Sequence, residues 1–89
     1  MPDDMKDRLG RLRRAIDVVD RSLVRLLARR LRLVDKLKPL KSCLRDVARE
    51  RAVIANVLKE AAQSRADRMF IRVIYEALLR ASRRHQRRA

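Results

Sequence analysis

Between Leu9 and Leu40, apolar residues recur at spacings of three and four: Leu9, Leu12, Ile16, Val19, Leu23, Leu26, Leu33, Leu37 and Leu40, with Arg30 filling the one gap. A heptad seam of this length predicts one long helix packed along another helix. A guanidinium inside such a seam is costly unless an anion satisfies it. The adjoining row, one residue beyond each Leu12-type position, reads Arg13, Asp20, Leu27, Val34 and Lys41. Half of the prospective core face is therefore polar, and mostly cationic.

A chain of 89 residues makes one domain at most, here a helical domain over 1–89, and it buries a limited core by itself. A partner chain is expected. One glycine, two prolines, one tyrosine and one phenylalanine, among abundant Leu, Ala, Val and Arg, predict an all-α protein without strands. The formal charge of +14 suits nucleic acid, an acidic membrane surface or a small anionic substrate. No apolar run approaches the roughly 18 residues of a membrane span. The stretch MPDDMKDRLG has no apolar core for a signal peptide, so a cytoplasmic protein with no membrane association is expected. Cys43, the sole cysteine, excludes an internal disulfide, has no metal-site partner and reads as a loop residue.

The first helix is expected to start at Asp3 or Asp4, either of which can cap it, and to run to about Lys38–Lys41. Such a helix is roughly 50 Å long, too long for a single small globule to cover. Pro39 removes the backbone bond to Asp35 and predicts a kink or an early stop. Residues 42–45 form a short connection, and Asp46 caps a second helix with apolar positions Val47, Val53, Ile54, Val57, Leu58 and Ala61, ending near Gln63. Asp67 or Ser64 starts a third helix, with Phe70, Val73, Ile74, Ala77, Leu78 and Ala81 as its expected buried face. The row Phe70, Ile74, Leu78 continues into Ser82 and Gln86, so polar groups again end an apolar stripe. The arginines of the tail, Arg83, Arg84, Arg87 and Arg88, are expected to be disordered or to touch nucleic acid.

If two copies of the first helix pair antiparallel near residue 24, Arg13 of one chain lies opposite residue 36 of the other, between Arg30 and Lys41. Within one helix Arg13 and Arg30 are about 25 Å apart, whereas Arg30 and Lys41 lie three turns apart and within about 20° of one face. An intertwined homodimer would thus hold two identical cationic pockets, each drawing on both chains. The second helix adds Arg49 and Glu50, and the third adds Ser82 and Gln86. Several cations, one acid and two neutral donors suit a small dianion carrying a hydroxyl or amino group. Nothing in the sequence supplies a nucleophile with an adjacent base, a metal-ligand cluster or a glycine-rich phosphate loop. Catalysis would work by positioning and electrostatics, with no cofactor.

These residues resemble a known family, the all-helical chorismate mutases, which are intertwined dimers of three-helix chains. The resemblance is carried by LRRAIDVVD at 12–20, LLARRLRLV at 26–34, Lys41, DVARE at 46–50 and SRRHQ at 82–86. It implies a cofactor-free pericyclic rearrangement of chorismate to prephenate. By resemblance, Arg13 from the partner chain and Arg30 clamp carboxylates, with Arg49 and Ser82 supporting that end. Lys41 and Gln86 donate to the ether oxygen, where negative charge grows as the C–O bond breaks, and Glu50, helped by Asp46, holds the C4 substituent. The connection before Asp46 is shorter than in the family pattern, and Pro39 stands just ahead of Lys41.

Within the same fold, a 4-amino-4-deoxychorismate mutase or an isochorismate-pyruvate lyase remain alternatives, because Glu50 accepts a hydrogen bond from a hydroxyl or an amine alike. The rival of another class is a basic helical dimer that binds nucleic acid. The charge favours it, but the shortage of stacking aromatics and the placement of cations inside the seam weigh against it.

Overall fold

The computed structural model describes residues 2–40 and 45–88, and every regular element among them is helical. Helix α1 spans Pro2–Leu37, a 3-10 turn follows at Lys38–Leu40, α2 spans Val47–Gln63 and α3 spans Arg68–Arg88. Lys41, Cys43 and the connection expected at 42–45, as far as residue 44, lie outside the described residues. The chain forms two compact units, Met1–Leu33 and Val34–Ala89.

The first unit is the greater part of α1. The helix starts at Pro2, earlier than a cap at Asp3 or Asp4 would place it. Proline suits a first helical position because its missing N–H would have no intrahelical partner there. Asp3 and Asp4 fall instead in the first turn. The apolar row stays open along this unit: Leu12 is 64% exposed, Ile16 57% and Leu26 59%. Arg8, Arg11, Arg21, Arg25, Arg29 and Arg32 lie exposed, as a solvated face would.

The second unit begins with the last turn of α1. Pro39 has no N–H for the Asp35 carbonyl, and its ring disfavours α geometry at Lys38. The α-helix therefore stops at Leu37 and the chain tightens into the 3-10 turn. The outcome is an early stop. Two polar contacts hold this end of α1 to α3: a ring nitrogen of His85 lies 3.1 Å from Asp35 Oδ1, and Lys38 Nζ donates to the Gln86 carbonyl at 2.8 Å.

Asp46 caps α2 as expected, its Oδ1 accepting from the Arg49 N–H at 2.9 Å while its own carbonyl accepts from Glu50 N–H at 3.0 Å. Asp67 caps α3, its carboxylate accepting from the N–H groups of Met69 and Phe70 at 2.9 and 3.2 Å. Ser64 closes α2 instead. The turn between α2 and α3 is a Schellman stop. Ala66 N–H bonds to the Ala61 carbonyl at 2.8 Å, Arg65 N–H bonds to the Ala62 carbonyl at 3.4 Å, and Arg65 sits in the left-handed region with φ 56°. An L side chain there costs about 1 kcal/mol or more, which glycine avoids. Arg65→Gly is therefore expected to stabilise the fold by about 0.5–1 kcal/mol, net of glycine's greater freedom in the unfolded chain; thermal denaturation followed by circular dichroism measures it.

Between α2 and α3 the core centres on Leu58 and Ala61, which are buried, with Val53, Ile54 and Val57 half-buried beside them. From α3 the inward residues are Ile71, Tyr75, Leu78 and Leu79, followed by Ser82 and Gln86. Of the face expected for this helix only Leu78 points inward, while Phe70, Val73, Ile74, Ala77 and Ala81 stay exposed. The helix carries apolar residues on two sides, and periodicity alone does not say which side meets α2. The tail continues the helix: α3 runs to Arg88, through all four arginines expected either to be disordered or to touch nucleic acid.

Candidate active site

Helical spacing puts Ser82 and Gln86 four residues apart on the inward face of α3, and both are more than nine-tenths buried. Burial of polar groups is tolerated only where hydrogen bonds replace water. Ser82 meets this condition locally, its Oγ donating to the Leu78 carbonyl at 2.8 Å. Gln86 does not. Its side-chain Nε2 is buried without an acceptor among the described residues, although its main-chain carbonyl receives Lys38. An orphaned amide donor of this kind costs about 1–3 kcal/mol, a cost a bound oxygen would remove.

The first turn of α2 carries the other candidates. Asp46 and Arg49 are exposed there, and Glu50 is half-buried. The Glu50 carboxylate is gripped from two sides: Arg83 Nη1 lies 2.5 Å from Oε2, and Arg45 Nε lies 3.5 Å from Oε1. Arg83 and Glu50 are largely shielded, at 15% and 18% side-chain exposure, whereas Arg45 reaches into solvent. Neither arginine stood out in the sequence. Arg83 lies next to Ser82, and its one legible signal was that it falls within the SRRHQ segment, whose register places it over the start of α2. The Asp35–His85 and Lys38–Gln86 contacts were hidden because they join segments about fifty residues apart.

Arg13 and Arg30 belong to α1 in the first unit, where Arg13 is exposed and Arg30 half-buried. Lys41 lies outside the described residues; the lysine beside Gln86 among them is Lys38. The structure thus gathers Glu50, Ser82 and Gln86 in the second unit, adds Arg83, Arg45 and Lys38 to them, and leaves Asp46 and Arg49 at the solvent edge of the same turn.

A groove of about 770 Å³ runs between α2 and α3, floored by Ile54, Leu58 and Leu79 and rimmed by Arg51 and Arg72. Of the gathered residues it meets Glu50 and Arg45, at one end. The orphaned donor of Gln86 is the stronger guide to chemistry, because a surface groove between two helices needs no ligand to be stable. Among the described residues no three His, Cys, Asp or Glu side chains gather closely enough to hold a metal ion, and no helix is long and apolar enough to cross a membrane.

The family model of chorismate mutase type II matches the chain over residues 12–87, nearly its whole length. The chain belongs to that family, whose fold is all-helical and whose activity is an isomerisation. No curated protein and no solved structure matches the chain.

Proposed function

We propose that this protein is a homodimeric chorismate mutase that converts chorismate to prephenate without a cofactor, in two pockets each shared between the chains. The observation that carries the reading is the buried side-chain amide of Gln86, whose Nε2 has no acceptor among the described residues, at a position that the resemblance assigns to a donor toward the breaking ether bond. Arg13 of the partner chain and Arg30 clamp the two carboxylates, with Arg49 and Ser82 at the same end. Lys41 and Gln86 face the ether oxygen. Glu50, supported by Asp46, accepts from the C4 hydroxyl.

The chemistry then follows from electrostatics. The reaction requires the enolpyruvyl arm to fold over the ring, and a clamp on both carboxylates selects that conformer, replacing a large entropy cost by binding energy. As the C–O bond lengthens, charge on the ether oxygen grows. Donors fixed beside it bind the transition state better than the ground state. Support for the second copy comes from the apolar row of α1 and the outer face of α3, both open in the single chain. An apolar row left open along a helix suits an interaction surface, and a two-fold partner supplies the same residues in return.

The test is to supply chorismate alone to the purified chain, without metal, and to sediment the same sample at micromolar concentration. Prephenate formation by a dimer is expected. A folded monomer would sink the shared pocket. A folded dimer without turnover, retained on DNA in a manner that collapses with salt, would replace the enzyme by a nucleic-acid-binding module.

A further inference from the structure

We propose that Arg83, assisted by Arg45, makes the Glu50 end of the pocket select a neutral hydroxyl over an ammonium group on the substrate. The proposal rests on the mutase reading above and deepens it. A solitary carboxylate at this point would favour an ammonium, because it adds ion pairing to hydrogen bonding. Glu50 is not solitary. With Arg83 on Oε2 and Arg45 at Oε1, one negative charge is bracketed by two guanidinium groups, so the cluster as a whole is cationic.

The other charges of the turn do not alter this sign. Asp46 and Arg49 stand together at the start of α2, one acid and one base, and the Asp46 carboxylate is already engaged by the Arg49 backbone N–H. Arginine keeps its proton throughout the accessible pH range, so the field is permanent. Arg83 should set most of it, since it is largely shielded from solvent while Arg45 is 61% exposed and well screened. A carboxylate offers about four lone-pair positions, and two arginines leave room for one more donor. A hydroxyl can take that place without electrostatic penalty, whereas an ammonium brings a third cation beside two others. Charge repulsion against the wrong ligand is a recognised route to specificity.

The experiment compares chorismate with 4-amino-4-deoxychorismate on the full chain and on three variants, Arg83→Gln, Arg83→Lys and Arg45→Gln, each checked by circular dichroism. The wild-type kcat/KM is expected to favour chorismate by about tenfold or more, and Arg83→Gln to shrink that ratio about tenfold through a lower KM for the amine. Arg83→Lys restores a cation and should keep the preference; Arg45→Gln should shift it less. Loss of helix packing would depress both substrates together and leave the ratio unmoved. Turnover of chorismate with an unchanged ratio in Arg83→Gln, or a wild type that prefers the amine, overturns the selectivity alone. Should Arg83→Gln fail to fold, a ratio unmoved by Arg45→Gln, or lost in Arg83→Lys, overturns it equally. A folded wild type inert toward both substrates overturns the mutase reading and the selectivity with it.

Discussion

Gln86→Leu is expected to lower kcat about 100- to 1000-fold while leaving the thermal midpoint where it is or raising it. The two halves of this result have one origin. Gln86 Nε2 is buried with no acceptor among the described residues, so leucine, of similar size, removes a desolvated donor and its cost. On the proposed mechanism the same change deletes the donor to the ether oxygen. A residue kept for packing would behave in the opposite way, losing stability and activity together. Prephenate formation under saturating chorismate and thermal denaturation on the same preparation separate the cases, and a variant that is destabilised yet active would remove Gln86 from the site.

Arg30→Ala should reduce turnover by about 1000-fold or more with the helical signal and sedimentation unchanged. Arg30 interrupts the apolar row of α1 and is half-buried there. Alanine at that position removes a charge from a seam that otherwise wants apolar groups, and alanine is the best helix former. The fold therefore tolerates the change. On the proposed mechanism, what is lost is one half of the carboxylate clamp, and with it the control over substrate conformation. Arg21→Ala, on the exposed face of α1, is the matched control and should alter kcat/KM little. Activity surviving in Arg30→Ala would mean that the arginine only fixes the register of paired helices.

Local signals were legible where a single residue decides the backbone. Asp46 as a cap, the stop at Pro39 and the end of α2 at Gln63 all follow from one side chain acting on nearby N–H or C=O groups. The end of α2 also shows the limit of such reasoning. Ser64 and Asp67 both have capping chemistry, but the left-handed Arg65 sits between them without the glycine that usually announces it, so the division of labour between the two was invisible. The apolar periodicity of α3 indicated a helix correctly but not which of its apolar sides meets α2, because Phe70 and Ile74 form as good a stripe as Ile71 and Tyr75. The site shows the same split. Ser82 and Gln86 stood out as polar residues ending an apolar row, which is a pattern within one helix. Arg83 did not, since its meaning lies in Glu50, thirty-three positions away in the chain.

The two-sided character of α3 also bears on how this protein can change over evolutionary time. A helix with one apolar stripe leaves most of its circumference free to drift, because solvent accepts almost any side chain. Here Ile71, Tyr75 and Leu78 are held from one side by α2, and Phe70, Ile74 and Ala77 present a second apolar side. If a second copy covers that side, as proposed, only the strip bearing Arg72, Glu76 and Arg80 stays free. Exposure measured on one chain would then misjudge which positions are replaceable: a charge at Ile74 should be rejected as firmly as one at Leu78, and sequence divergence should be funnelled into a narrow lane along the helix.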